Sequence, residues 1–385
     1  MAFFLGYLVR EPNSLRPIYI PVVGWLFVAW TLATTLWAIN IEAGFVAWVS
    51  LLQLFAITLL IANLVAKDPG IIRKALWAYS ITAIFTAAIA VVSSLQGSGL
   101  FSERITAFGG QNPAGFSSLV LPAAIFLMGE VQSRETRRVI RLFGLAALLA
   151  CLVAILLSGT RSAWVGFVVA SVVWLLLRRE PRQTLAVAAI AFTVVILVSS
   201  VPGASRYLVE RAGSSVATGG SGRADIWAVG LSIVESAPVV GVGFGNFPFA
   251  FTPDAIAQVP GANTYGAGRG PHNLLLANFA ETGVVGGLLL LAFLGSALAR
   301  ANGDRIANIV RAALIALFVQ SLFTDLLLQK HLWLLLGIAF GIAAAKRLDA
   351  DSLPWVPKRA RPGLSGAEMA HPVSTVAGMN TGPPA

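Results

Sequence analysis

The residues best suited to chemistry are Pro271-His272-Asn273, followed after nine residues by Gly283-Val284-Val285-Gly286. They close the one long polar loop of a very apolar chain; that loop carries Arg206, Arg211, Arg223 and Arg269, and the other links expected on its side of the bilayer carry Arg104 and Arg161. A guanidinium is a planar fork that keeps its proton and gives paired, charge-assisted hydrogen bonds, which suits a diphosphate. Two or three of them could stabilise a leaving group as a divalent metal would. A neutral imidazole beside them could accept a proton from a hydroxyl. The combination suggests chemistry on a phosphorylated lipid.

The elements that hold these groups can be sketched from spacing. Pro271 suits the first helical position, which would put His272 in the first turn, where the positive helix end and nearby arginines lower its pKa. On one helix over 272–286, Glu281 would stand about 180° from His272, and Gly283 and Gly286 within about 40° of it. Glu281 is therefore not expected to pair with His272, and the two glycines leave a smooth stripe for close packing or a lipid tail. A helix over 272–299 would be roughly 42 Å long, so it must tilt, break near Thr282-Gly283 or begin above the membrane. Arg161, in Ser158-Gly159-Thr160-Arg161-Ser162, sits in a short link between two apolar runs. Arg223 opens an apolar stretch too short to span, with Trp227, Leu231 and Val234 on one helical face, suited to the interface. Arg206 and Arg211 read as an exposed turn with Glu210 as local partner. An interfacial arginine snorkelling to head groups is the plainer reading of any one of these cations. His331, in Gln329-Lys330-His331, reads as interface anchoring, and His371 lies in the tail.

Other chemistries have less support. Glu42, Glu103, Glu210, Asp225, Asp254, Glu281 and Asp325 are scattered, and no Asp-x-Asp pair exists, so neither a metal nor another cofactor is expected. Cys151 is the only cysteine and lies in an apolar run, which leaves no disulfide framework. Gly241, Gly243 and Asn246 lack the third glycine of a dinucleotide fingerprint, and no Lys-Ser/Thr follows.

With 57% hydrophobic residues, 11% charged residues and a mean hydropathy of +0.80, the 385-residue chain belongs in a membrane. About ten runs have the length a bilayer core requires, near 18–38, 44–65, 75–95, 114–130, 142–158, 162–177, 184–201, 272–299, 307–327 and 331–346. The fold expected is all-α and polytopic: a bundle over 1–201, an extracytoplasmic loop with short interfacial helices over 202–271, further spans over 272–347 and a disordered cytoplasmic tail over 348–385. Lysines and arginines fall about 19 to about seven between alternate sides, which puts both termini in the cytoplasm and the His272 loop outside. The net charge of +10 is then mostly a topology signal, and no nucleic-acid motif accompanies it. The first 17 residues lack a small-residue cleavage site and do not read as a signal peptide.

Taken together, these residues resemble the O-antigen ligase and O-antigen polymerase superfamily of bacterial membrane glycosyltransferases, over roughly residues 20–346. The most specific piece is the ligase-type pattern His, Asn, nine residues, Gly, two residues, Gly, met by His272, Asn273, Gly283 and Gly286. Ser158-Gly159-Thr160-Arg161, Gly222-Arg223 with Trp227, Pro238 through Phe247, and Arg104 with Gln111-Asn112-Pro113 follow the family's order. The resemblance implies a GT-C-like fold in which Arg161 and Arg223 bind the diphosphate of a polyprenyl-linked glycan and His272 activates the acceptor. Arg104, Arg269, Asn112 and Asn273 would help to bind substrate. Members commonly have about twelve spans, so the chain's start is expected to lie downstream of one or two helices of the family pattern.

The expectation is a metal-independent, inverting glycosyltransferase of the cytoplasmic membrane. It would move a glycan from an undecaprenyl-type diphosphate carrier to a glycan, lipid or protein acceptor on the outer face. A repeat-unit polymerase is the alternative within glycosyl transfer, and an anion transporter or lipid-linked glycan flippase is the alternative outside it. A transporter would be expected to carry charges near mid-span, whereas Arg311 and Asp325 lie near span ends.

Overall fold

The computed structural model describes residues 19–96, 105–106, 112–133, 135–178, 222–262 and 266–352. The expected span 184–201, Arg104, Arg206, Arg211 and most of the tail lie outside the described residues. Among those described, every regular element is helical. In chain order they are α1 (Val22–Thr34, with a short 3-10 turn Thr35–Trp37), α2 (Ile41–Lys67), α3 (Ile71–Gln96), α4 (Pro113–Val131), α5 (Arg138–Leu157) and α6 (Arg161–Arg178). Then follow α7 (Arg223–Ser236), α8 (Phe247–Ala250), α9 (Pro253–Ala257), α10 (Leu274–Arg300), α11 (Arg305–Ser321) and α12 (Lys330–Ser352).

Six of these helices, α2, α3, α4, α5, α10 and α12, are long and apolar enough to cross a membrane; α1 with its 3-10 turn and α6 are shorter apolar helices. The chain is a polytopic membrane protein. α11 stops at Ser321, six residues short of the apolar run that suggested it, because 322–329 folds as turns.

Small residues let the helices approach closely, the usual packing device where lipid and protein are equally apolar. Gly337 and Gly341 on α12 lie against Ile61 and Val65 on α2, and Gly166 on α6 faces the Ala316 carbonyl on α11. Thr58 Oγ1 on α2 donates to the Trp333 carbonyl at 2.9 Å. Phe293 on α10 sits amid Phe55, Trp333 and Phe340, joining α2, α10 and α12 through one buried aromatic group.

The bundle has two unlike ends. α2, α4, α7 and α10 begin, and α5 and α11 finish, at the end that carries His272. At the other end, where α4 stops and α3, α5 and α11 begin, buried Glu130 accepts from Arg73 Nη2 at 2.6 Å and from Arg305 Nη2 at 2.8 Å. Thr136 Oγ1 donates to the same carboxylate at 3.4 Å, and Arg305 Nη1 donates to the Gly129 carbonyl at 2.9 Å.

Candidate active site

Arg161 and Arg223 are each the first residue of a helix, α6 and α7, and in each case a left-handed glycine precedes them. Gly159 at φ 61° turns the link between α5 and α6, where buried Ser158 and Thr160 fix the backbone: Thr160 N donates to Ser158 Oγ at 3.3 Å. Gly222 at φ 73° caps α7. A side chain at either glycine would strain the turn that aims the arginine after it. Both guanidinium groups therefore leave from positive helix ends, where backbone N–H groups favour an anion.

His272 comes from a third helix start, but not as the sequence suggests. α10 begins at Leu274, so Pro271 and His272 stand before the helix. Asn273 takes the cap because its Oδ1 accepts from Leu275 N at 2.9 Å and Leu276 N at 3.0 Å, satisfying two donors that a proline start would leave open. His272 is held at φ 49°, the one non-glycine residue with positive φ among the described residues. Such conformations cost of order 1–3 kcal/mol and persist where the surroundings enforce them. Here buried Pro271 anchors the turn, its carbonyl accepting from Trp227 Nε1 of α7 at 3.1 Å.

These basic groups interact. Partial burial lowers the His272 pKa below the ordinary histidine value, and the charges of Arg223 and Arg269 lower it further. Burial is thus the leading cause, not the helix end. Burial also lowers the pKa of Arg223, with a smaller contribution from Arg161. Three separated stretches are thereby linked: Arg161 lies within electrostatic reach of Arg223, and Arg223 and Arg269 within reach of His272. Arg161 and Arg269 are exposed, whereas Arg223 and His272 are half-buried. Asn112 caps α4, its Oδ1 accepting from Ala114 N at 2.9 Å. In Asn112 and Asn273 alike the side-chain oxygen serves a helix, so a substrate would meet their amide NH2 groups. Arg104 lies outside the described residues.

Behind His272, α10 breaks at Gly283 (φ 66°, ψ −172°), the second of the three outcomes its length allowed. The glycine loop 241–247 fills the break. Val242 N donates to the Ala280 carbonyl at 2.9 Å, Gly243 N to the Glu281 carbonyl at 2.9 Å, and Val284 N to the Pro238 carbonyl at 2.8 Å. A Cβ on Gly283 would collide with the Val239 carbonyl, and one on Gly241 with the Glu281 backbone. Of the motif glycines, Gly283 thus admits protein backbone and Gly286 the side chains of Thr282 and Trp30, so their stripe serves close packing, not a lipid tail.

Glu281 is the residue whose role the sequence conceals. Its buried carboxylate turns to the loop, accepting from Gly245 N at 2.9 Å and Phe247 N at 3.0 Å. Asn246 ties the same loop to the start of α2: Asn40 N donates to its Oδ1 at 2.6 Å, and its Nδ2 donates to the Asn40 carbonyl at 3.2 Å. Trp30 Nε1 reaches the Thr282 carbonyl at 2.9 Å and Trp37 Nε1 the Gly241 carbonyl at 3.2 Å. His272 and its helix are braced by α1 and α2 through this loop.

Two further residues complete this end of the bundle. Asp325, one of the scattered acids, lies in the 322–329 turns and retains solvent access; surrounding protein raises its carboxyl pKa while Leu327 N donates to it at 3.0 Å. Its neighbour Phe323 rests on Trp227, with ring centres 6.0 Å apart, which brings these turns to the His272 anchor. His331 is buried at 6% exposure and among the described residues its Nε2 has no hydrogen-bond partner, so it is no interfacial anchor.

Among the described residues no three His, Cys, Asp or Glu side chains gather as metal ligands would. No curated protein matches the chain. Residues 145–291 match the family model described as O-Antigen ligase, Wzy_C. That segment takes in Arg161, Arg223, Arg269, His272 and Asn273, and the match supports a place for the chain in the O-antigen ligase and polymerase superfamily.

Proposed function

We propose that the protein transfers a glycan from a polyprenyl-diphosphate carrier to an acceptor hydroxyl, with inversion and without a metal, at the outer face of the cytoplasmic membrane. O-antigen ligase or polymerase activity in the general sense is supported by the family match. The acceptor oxygen attacks the sugar C1 from the side opposite the carrier. Its proton passes to His272, and the C1–O bond breaks with its electron pair going to the diphosphate. Arg161 and Arg223 stabilise the charge that develops on that leaving group, with Arg269 and Arg104 as helpers. Asn112 and Asn273 contact substrate through their amide groups.

The observation that carries this reading is the convergence of His272, Arg223, Arg161 and Arg269 at one end of the bundle, with each of the first three at the start of a helix. A lowered His272 pKa keeps the imidazole neutral, as a base must be, and the same cations that lower it suit a diphosphate. On the transporter alternative, the buried ion group at Glu130 sits at the end of α4, away from mid-span.

The test is product analysis with purified protein in nanodiscs, supplied with glycan-linked polyprenyl diphosphate and separate lipid and glycan acceptors. A product of inverted C1 configuration, formed with release of polyprenyl diphosphate, is expected. The productive acceptor separates ligase from polymerase. Retained configuration would overturn direct displacement, and donor that crosses the membrane unconsumed would favour a flippase.

A further inference from the structure

At the end of the bundle opposite His272, α3 and α5 diverge and leave a groove of about 720 Å³ between their first turns. Its walls are Trp77, Ile81, Val139, Ile140 and Phe143, and its mouth is Arg73, Lys74 and Gly70. Ile81, Val139, Ile140 and Phe143 are exposed. Over the eight residues from Arg73 to Ile81 the helix rises about 12 Å, so the groove runs from a charged rim well into the apolar zone. Its size falls in the range of small-molecule sites, roughly 300–1,000 Å³.

The rim is more positive than the nearby acids offset. Arg73 and Lys74 line it, and Arg137, Arg138 and Arg141 add positive charge at the start of α5 beside the groove, outside its lining. Of the acids at this end, Asp68 accepts from Gly70 N, Glu130 is shared by Arg73 and Arg305, and Glu135 is exposed. Arg73 gives Nε and Nη2 to Glu130 and still leaves 44% of its side chain exposed. Lys74 is exposed beside it.

We propose that this groove is a binding site for an anionic phospholipid, with its phosphate at Lys74 and the first turn of α5 and an acyl chain along Trp77, Ile81, Ile140 and Phe143. Charge complementarity selects that occupant. Any lipid would cover the apolar wall, but a zwitterionic head group would gain little from a rim of cations, whereas each basic residue near an anionic head group contributes about 1 kcal/mol. The Trp77 ring is held edge-on against Phe126, with ring centres 5.4 Å apart, and so forms a fixed wall of the groove. The site is distinct from the His272 cluster and independent of the reaction assigned to it.

Lipid retention measured by native mass spectrometry on the purified full chain tests the proposal, with phosphatidylglycerol and phosphatidylcholine of matched chains as probes. Wild type should hold phosphatidylglycerol about tenfold or more tightly than phosphatidylcholine. Lys74→Gln should weaken phosphatidylglycerol alone by about fivefold, the equivalent of about 1 kcal/mol. Ile81→Trp, which fills the groove, should weaken both lipids. Equal retention of the two lipids by wild type, as expected of a surface made for another protein's helix, would overturn the proposal. So would an unchanged phosphatidylglycerol preference in Lys74→Gln.

Discussion

Where α4 stops, one buried carboxylate, Glu130, gathers Arg73 and Arg305. Where α6, α7 and α10 begin, Arg161, Arg223, Arg269 and His272 gather, and burial, followed by like charge, lowers the proton affinity of Arg223 and His272. The first arrangement satisfies its charges and joins helices. The second accumulates repulsion, helix N-termini and a histidine in a left-handed conformation. On the proposed function, an anionic diphosphate brought between these cations relieves that repulsion, so the difference separates a region that ties helices together from one that receives a substrate.

The comparison can be broken most severely at Arg161. Arg161→Lys keeps the charge and loses the fork, and should lower turnover by about 10²–10³, the scale for losing one donor to developing charge, with little change in melting temperature. Near-normal polyprenyl diphosphate release by that variant would remove Arg161 from the chemistry. Glu130→Gln at the opposite end should do the reverse. Breaking a buried ion pair costs about 3–5 kcal/mol when both partners are enclosed, and less here because Arg73 is half exposed. Thermal unfolding should fall while turnover per folded molecule holds; a specific loss of turnover would show that the two ends are coupled.

Glu281→Gln lies between these cases. One amide oxygen cannot replace two carboxylate acceptors, and the unsatisfied N–H should cost about 1–3 kcal/mol of stability, read by thermal unfolding in detergent. Because the loop braces the His272 helix, kcat should fall more than KM rises. A smaller effect concerns pH. His272 acts as a base only when neutral, and its pKa is lowered, so activity should persist below the ordinary histidine value of about 6.5 and fail only as pH drops through the lowered one. Arg269→Gln removes one source of that lowering and should move the acid limb of kcat/KM to higher pH by less than about one unit. An unmoved limb would assign it to another group.

Much of the site was legible because its signals are local. The short link that holds Arg161, the place of Arg223 at the opening of a short apolar stretch, and a helix too long to stay unbroken near Gly283 can be read from neighbouring residues. What the sequence hid depends on contacts between distant segments. Asn273 displaced Pro271 as the start of α10 because a side-chain cap satisfies donors that a proline cannot. Glu281 finds its donors 34 and 36 residues upstream, in a loop whose course periodicity does not describe. His331 seemed interfacial beside Lys330, yet the packing of α12 buries it. The spans were located better than their ends: hydrophobic length marks a helix, whereas the turns after Ser321 decide where α11 stops.

The central claim is that His272 accepts the proton of the attacking hydroxyl while arginines, not a metal, stabilise the departing diphosphate. It is tested most directly by following polyprenyl diphosphate release in EDTA, in nanodiscs with donor and acceptor supplied, for wild type and His272→Ala at matched folded protein. Release that survives EDTA in wild type and falls by about 10²–10⁴ in the variant is the predicted result. Release abolished by EDTA, or undiminished in His272→Ala, would contradict it.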